Sequence, residues 1–122
     1  MPITLTVKDH IAEILFDHPP VNAFDSATWN AIPALIREAG SDPNVNVVLI
    51  RAEGRGFCGG VDIKEVAAHP ERITLLNRGN YLTFKAIHDC EVPVVVAVHK
   101  FVIGGGIGIC GASDTIIAAE DA

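Results

Sequence analysis

One segment, residues 92–108, limits most strongly what this chain can fold into, because it joins a branched apolar run to a cluster of glycines. Residues 92–98 (VPVVVAV) are apolar throughout, which is typical of a strand buried on both faces of a sheet. Glycines follow at Gly104, Gly105, Gly106 and Gly108. His99 and Lys100 interrupt the apolar stretch, so a buried strand, a turn and a glycine-rich helix explain it better than a membrane span.

The rest of the sequence alternates short apolar runs with amphipathic stretches, in the order β-β-α-β-α-β-α-β. This order predicts a layered α/β fold. Residues 8–10 predict a hairpin turn, Asp25 is the predicted N-cap of a first helix, and Pro33 is expected to kink that helix. The predicted strands are 3–7, 11–16, 45–51, 92–98 and 115–119; later helices are predicted to start at Asp62, to span 71–88, and to span 104–113.

Composition adds an expectation about covered surface. Apolar residues make up 49% of the 122 residues and the mean hydropathy is +0.35, which is rich for a small domain. We therefore expect a longer chain, a subunit partner, or both, to cover apolar area. The formal charge of −6 makes nucleic acid and anionic membranes unfavourable partners.

The polar residues near the N-terminus and the cysteines bear on location and metal binding. Lys8, Asp9 and Glu13 interrupt any apolar run that a signal peptide would need. The three cysteines are scattered and without CxxC spacing, which favours reduced thiols in a cytoplasm. The five histidines show no metal-ligand spacing, and we expect no metal.

Two glycine-rich turns are each predicted to follow a buried strand and to open a helix. In the turn at 104–108, unpaired N–H groups and the positive end of a helix dipole would face a ligand oxygen with no side chains in the way. An oxyanion suits such a position, although the glycines would also permit close helix packing. The other turn, residues 53–60, holds four glycines in eight residues, and Asp62, the predicted helix cap, follows it.

A nicotinamide-dinucleotide site is an alternative for the later turn, because residues 106–111 (GIGICG) match GxGxxG. Two features oppose it. The match does not directly follow the strand, and the acidic residue expected about 20 positions on would lie beyond Ala122.

Four segments of the sequence together resemble the crotonase (enoyl-CoA hydratase/isomerase) superfamily. They are residues 51–65 (RAEGRGFCGGVDIKE), residues 92–106 (VPVVVAVHKFVIGGG), residues 20–23 (PVNA), and Ser113-Asp114 followed by an apolar strand and Glu120-Asp121-Ala122. The residues of these segments are most similar to those of actinobacterial members that act in steroid-ring breakdown. The resemblance implies the crotonase (ClpP-like) α/β fold with ββα repeats. Residues 1–122 are then an N-terminal acyl-CoA-binding domain, which we expect to precede a C-terminal catalytic and helical region.

In that family two backbone N–H groups hold the thioester oxygen, and the matching positions here are Val61 and Gly105. The resemblance also implies coenzyme A as part of the substrate, no tightly bound cofactor, and a homotrimer or dimer of trimers at full length. Lys64 and Arg55 are candidates for the CoA phosphates. The implied substrate-binding residues are Val21, Ala23, Phe57, Val61, Asp62, Ile63, Lys64 and Gly105.

The sequence departs from the family's hydratases at Gly108. Hydratases carry a glutamate two residues after the glycine triplet and a second one about 20 residues later, a position expected beyond Ala122. Glycine can neither hold a proton nor orient water through a side chain. We therefore expect a ring-opening hydrolase or an isomerase-like enzyme rather than a plain hydratase; an inactive fragment is the remaining alternative.

Other reactive side chains have simpler structural explanations. Cys58 is expected to fill space in a glycine loop, and Ser113 lacks the GxSxG elbow of serine hydrolases. His99 is expected in the core or at the rim of the site, and Asp114 is expected to brace the turn before the last strand. Glu65, Glu120 and Asp121 are expected to be surface carboxylates.

Overall fold

The strands and helices follow one another much as the sequence predicts, with two short strands added. The structure, a computed structural model, describes residues 2–122. Its elements are β1 (Ile3–Lys8), β2 (Ile11–Phe16), β3 (Ala23–Phe24), α1 (Ser26–Ser41), β4 (Val47–Ala52), β5 (Gly60–Val61), α2 (Ile63–Ala68), a 3-10 turn (Pro70–Arg72), α3 (Ile73–His88), β6 (Val94–Val98), α4 (Gly105–Ala112) and β7 (Thr115–Ala118).

The five longer strands form one sheet in the order β1-β2-β4-β6-β7. β1 and β2 run antiparallel and are joined by Asp9 and His10, both at positive φ, which is the predicted hairpin. Every other neighbouring pair is parallel, so the layered α/β prediction is confirmed. Within residues 2–122, no helix is both long and apolar enough to cross a bilayer.

Burial across the sheet corrects one prediction about β6. Val94, Val96 and Val98 are buried in the core, but Val95 and Ala97 on the opposite face are only partly buried. Helices α1 and α3 pack against each other and α1 contacts the sheet, so one face of β6 is well covered. The other face has less cover from the described residues, and the prediction of full burial on both faces is wrong.

Helix α1 continues through Pro33, and a neighbouring helix compensates for the missing hydrogen bond. Proline has no N–H to donate to the carbonyl of Trp29, one turn earlier. The hydroxyl of Thr83 on α3, whose side chain is fully buried, donates to that carbonyl at 3.3 Å. The buried proline therefore lies where α3 supplies the lost donor.

Glu65 links α2 to the start of α1, so the prediction that it is a surface carboxylate is wrong. Its side chain is 9% exposed. Its carboxylate accepts hydrogen bonds from the Ser26 hydroxyl at 2.6 Å and the Ser26 backbone N–H at 2.8 Å. These bonds lower the pKa of Glu65 below its usual value, and the bond from the hydroxyl is the larger cause. A carboxylate at this helix N-terminus also meets the positive end of the α1 dipole.

We predict that Glu65→Gln lowers the free energy of unfolding by about 1 kcal/mol at neutral pH, a typical value for a helix cap. A lowered pKa in the folded protein means that the ionised form stabilises the fold above the unfolded pKa. That contribution is lost as the pH falls through the pKa of Glu65 in the folded protein, which is the lower of the two pKa values. Urea unfolding from pH 7 to pH 3 should therefore show the wild type and the variant converging below about pH 4.5. Glu91→Gln, at an exposed position, should show no such convergence.

Candidate active site

The two predicted glycine turns lie against each other in the structure. Gly60 and Gly104 both have positive φ, 88° and 55°, which side chains rarely adopt. A Cβ built on Gly60 would lie 3.1 Å from the carbonyl oxygen of Ile103 and 3.9 Å from the Cα of Gly104. Cys58 and Val102 form an isolated parallel bridge beside this point. The backbones therefore approach each other closely because neither glycine carries a side chain.

On one side of this contact lies the N–H of Gly105, a buried residue. The next N–H groups along α4 are used, since Gly106 donates to Ile103 at 2.9 Å and Gly108 donates to Gly104 at 3.3 Å. No described residue accepts a hydrogen bond from Gly105. Gly105 is the first residue of α4, where the helix dipole favours negative charge.

On the other side of the contact, the N–H of Val61 points away from its own small sheet. β3 and β5 pair in parallel, with Ala23 opposite Gly60 and Phe24 opposite Val61. Asp62 donates its N–H to the carbonyl of Phe24 at 2.8 Å. Because successive strand residues point in opposite directions, the N–H of Val61 faces away from β3. Val61 and Gly105 therefore present two backbone donors on either side of the Gly60–Gly104 contact.

Trp29 of α1 lies beneath both turns, a position that the sequence did not reveal. Its indole N–H donates to the carbonyl of Gly60 at 3.3 Å. A Cβ on Gly105 would lie 2.6 Å from its ring, and the side chain is fully buried. Trp29 thus supports the backbone at both donors. The only sequence signal was its place on the apolar face of a helix, which indicates core and not site.

Most of the predicted substrate-binding residues lie near these donors. Pairing of β3 with β5 places the segment containing Val21 and Ala23 beside Val61, and these three residues are half-buried. Ile63 is 74% exposed and Lys64 is exposed. Asp62 has a structural task as well, since its carboxylate accepts from the N–H of Lys64 at 3.0 Å and caps α2.

Phe57 differs from the others because its side chain belongs to the core. It is 0% exposed, and its ring lies 5.4 Å from that of Phe16. Its backbone N–H donates to the carbonyls of His99 and Phe101 at 3.0 and 3.1 Å. The Phe57 side chain therefore packs below the turn and anchors it, and its place among the substrate-binding residues stays a prediction.

Asn22 holds the first glycine turn in place, and the sequence marked it only as part of a resemblance. Its side-chain nitrogen donates to the carbonyls of Glu53 and Gly56 at 2.8 and 2.9 Å. Its side-chain oxygen accepts from the N–H of His18 at 2.7 Å. The residue is 3% exposed and has a φ of 52°. These long-range bonds tie the segment before β3 to the start of the turn at residues 53–60.

Gly108 faces an aromatic side chain and not an open space. A Cβ built on Gly108 would collide with the ring of Phe84 on α3. A glutamate at this position would have to displace that ring. The structure therefore gives a packing reason for the glycine that stands where the family's hydratases carry their first carboxylate.

The dinucleotide alternative is contradicted by where its glycines lie. Residues 106–111 are inside α4, which spans Gly105–Ala112. In a dinucleotide site the first glycines must form the turn between strand and helix, so that the pyrophosphate meets the helix N-terminus. Here the N–H groups of Gly106 and Gly108 are already bonded to backbone carbonyls.

The remaining candidate side chains have structural roles. Cys58 is fully buried, and burial raises the pKa of its thiol to about 11, which confirms the prediction of a loop filler and leaves it a poor nucleophile. The Ser113 hydroxyl donates to the carbonyl of Ile109 at 2.7 Å. His99 lies half-buried beside the carbonyl of Gly54, at 2.9 Å from its Nε2. The Asp114 carboxylate accepts from the N–H of Val94 at 2.8 Å, so its predicted bracing role is confirmed.

The acidic residues near Ala122 and the predicted phosphate ligands lie at the surface. Glu120 and Asp121 are exposed, as predicted. The Asp121 carboxylate lies 3.4 Å from the Lys100 ammonium and accepts from the Lys100 N–H at 3.3 Å. Arg55 is exposed and lines a cavity of about 290 Å³ with Asn22. Its position leaves the guanidinium accessible to a ligand.

Backbone N–H groups at apposed glycine turns are the kind of donors that hold an oxyanion in acyl-transfer and enolate chemistry. The sequence profile of the enoyl-CoA hydratase/isomerase family matches residues 6–122, and the chain belongs to that family. An enoyl-CoA hydratase/isomerase family protein from Hyphomonas neptunium superposes with a TM-score of 0.90 at 31% identity, over 100% of this chain and 48% of that one.

Two curated relatives share more of the sequence. Both are named (7aS)-7a-methyl-1,5-dioxo-2,3,5,6,7,7a-hexahydro-1H-indene-carboxyl-CoA hydrolase. The Rhodococcus jostii protein is 48% identical over all of this chain and 48% of its own length. The Mycobacterium tuberculosis protein is 46% identical over all of this chain and 51% of its own. The chain thus spans about half the length of the curated relatives it matches.

Proposed function

We propose that this protein binds a CoA thioester and stabilises negative charge on its carbonyl oxygen with the N–H groups of Val61 and Gly105. The observation that supports the proposal is the contact between Gly60 and Gly104, the residues that directly precede Val61 and Gly105 in sequence. Backbone donors held in fixed positions stabilise charge as it develops and need no reorganisation during the reaction. The buried indole of Trp29 keeps that arrangement rigid.

The proposed reaction is ring opening by hydrolysis of a carbon–carbon bond in a bicyclic CoA thioester, in the breakdown of steroid rings. Water adds its oxygen to a ring ketone and gives up one proton, and the bond from that carbon to the thioester α-carbon breaks, so the ketone carbon becomes a carboxylic acid. The electron pair of the broken bond moves to the thioester oxygen as an enolate, and the α-carbon then takes up one proton, which balances the one that water gave up. The named activity of the two hydrolase relatives supports this proposal. The glycine at position 108, packed against Phe84, disfavours two-carboxylate hydration.

Coenzyme A is proposed to bind along the segment that pairs β3 with β5. Val21, Ala23 and Ile63 would contact its nucleotide and pantetheine, and Lys64 and Arg55 its phosphates. Lys64 and Arg55 are both exposed, as a phosphate contact requires. CoA enters as part of the substrate, and the proposed reaction uses no further cofactor.

We also propose that residues 1–122 act as the oxyanion-hole part of a longer enzyme that works as a cytoplasmic homotrimer. The relatives' greater length supports the first part of this proposal. The exposed isoleucines of β7, Ile116 and Ile117, are 52% and 58% exposed, which supports cover by additional chain or a subunit.

We predict that CoA thioesters raise the midpoint of thermal unfolding and that NAD does not. A ligand at 100 times its dissociation constant stabilises the folded state by about 2.7 kcal/mol. That is a shift of roughly 10 °C for a domain of this size. The measurement is a thermal-shift titration with acetyl-CoA, the indene-carboxyl-CoA thioester, free CoA and NAD. Stabilisation by NAD alone would contradict the proposal.

A further inference from the structure

Helix α3 places the Asn80 side chain next to Gly105, one turn before the Phe84 ring that lies against Gly108. Asn80 and Phe84 are four residues apart, so both side chains lie on the same face of α3. Phe84 contacts α4 at Gly108, and Asn80 contacts it at Gly105. A Cβ built on Gly105 would lie 2.5 Å from the side-chain oxygen of Asn80. With a Cα–Cβ bond of about 1.5 Å, this oxygen lies within ~4 Å of the Gly105 Cα.

The orientation of the Asn80 amide is set by its nitrogen. That nitrogen donates to the carbonyl of Leu76, one turn earlier on α3, at 3.0 Å. The oxygen is therefore the atom that faces Gly105. No described residue donates a hydrogen bond to it, and Asn80 is half-buried. Every fully buried side-chain N or O atom in residues 2–122 has a partner, so this unpartnered oxygen is not fully buried.

The chemistry of an amide oxygen restricts what that molecule is. The oxygen accepts hydrogen bonds and cannot donate them, so it repels a thioester oxyanion and attracts an O–H group. The reacting O–H group in hydrolysis is water. A water that donates to Asn80 would lie beside the thioester oxygen held by Gly105. The amide does not titrate in the working range, so it orients the water without taking its proton.

We propose that Asn80 is a positioning residue that holds the attacking water through its side-chain oxygen; this inference rests on the proposed hydrolytic function. It places the orienting group on α3, whereas the family's hydratases carry a glutamate at the position of Gly108 on α4. Phe84 and Asn80 lie on the same face of α3. Phe84 occupies the space next to Gly108, and Asn80 supplies a neutral acceptor one turn away.

The test is steady-state kinetics of the intact protein with the indene-carboxyl-CoA thioester. Asn80→Ala should lower kcat by about 100-fold, the effect of a misplaced reactant, with KM and the thermal midpoint unchanged. Its bond to Leu76 lies within one helix, and alanine is the better helix former, so stability should not fall. Asn77→Ala, an exposed change on the same helix, is the matched control and should keep wild-type kinetics.

Asn80→Asp separates positioning from packing. It keeps an acceptor oxygen and the shape of the side chain, so its kcat should exceed that of Asn80→Ala. It should also gain a new limb in its pH–rate profile, because a carboxylate takes up a proton and an amide does not. Unchanged kcat in Asn80→Ala would overturn the inference. So would parallel losses of kcat and thermal midpoint in both variants. A wild-type protein that binds no CoA thioester would refute the proposed function itself, and the inference with it.

Discussion

Replacing Asn22 with alanine is expected to lower the free energy of unfolding by about 3–5 kcal/mol. The change removes three hydrogen bonds, two to the carbonyls of Glu53 and Gly56 and one from the N–H of His18. Each bond contributes about 0.5–1.5 kcal/mol, and a buried polar group left without a partner costs about 1–3 kcal/mol. Asn22 is 3% exposed, so water cannot easily replace the amide.

Alanine also suits the backbone at this position poorly. Asn22 has a φ of 52°, a conformation that asparagine and glycine accept more readily than alanine. Asn22→Gly should therefore lower the free energy of unfolding by about 1 kcal/mol less than Asn22→Ala does. The loss that remains in Asn22→Gly measures the missing hydrogen bonds. Urea unfolding followed by Trp29, the single tryptophan, measures both. Asn46→Ala, at an exposed site, should stay within about 0.5 kcal/mol of wild type. Equal stability of Asn22→Ala and wild type would show that the turn holds without the amide.

Local sequence patterns were sufficient to predict most of the fold. The alternation around residues 8–10 predicted the hairpin, and the glycine turn before α4 predicted where that helix begins. Each depends on residues near one another in sequence. The glycine turn before α4 also predicted unpaired N–H groups at the start of that helix, because they are a property of any helix N-terminus.

Three features could not be predicted because they depend on distant residues. β3 and β5 have two residues each, which is too few to show any periodicity. They form because the two segments pair with each other in the folded protein. Glu65 is polar and follows a helix cap, which indicates solvent, yet Ser26 lies against it 39 positions earlier in sequence. Phe57 lies between glycines in a motif that resembles a binding loop, and only tertiary packing shows it to be core.

The two proposed oxyanion donors also separate what local sequence patterns predict from what depends on tertiary contacts. Val61 and Gly105 were assigned by resemblance, and no sequence pattern placed them near each other. Their proximity arises from the bridge between Cys58 and Val102 and from the bond of Ile103 N–H to the Cys58 carbonyl, at 3.0 Å. Trp29 and Asn80 complete the surroundings from two other helices. A site made of backbone groups leaves little trace in side-chain identity, so glycine spacing was its main signal.

Removing the N–H of Gly105 is expected to lower kcat by about 10²–10³-fold, or roughly 2.7–4 kcal/mol of transition-state stabilisation. The donor lies at the start of α4 with no acceptor among the described residues, so its loss should affect charge stabilisation more than folding. Gly105→Ala is unsuitable because the new Cβ would lie 2.5 Å from Asn80 and 2.6 Å from Trp29. Replacing Gly105 with glycolic acid changes its amide to an ester and adds no atoms that clash.

The matched control is glycolic acid at Gly106, whose N–H donates to the carbonyl of Ile103 at 2.9 Å. That ester should destabilise the turn yet retain much of the wild-type kcat, because the Gly106 donor is already used within the protein. The two esters share the same chemistry one residue apart, so they separate a donor that faces substrate from one that holds the fold. Turnover of the indene-carboxyl-CoA thioester and urea unfolding are measured for both. Equal losses of kcat would assign the effect to backbone structure, and a Gly105 ester with wild-type kcat would remove Gly105 from the oxyanion hole.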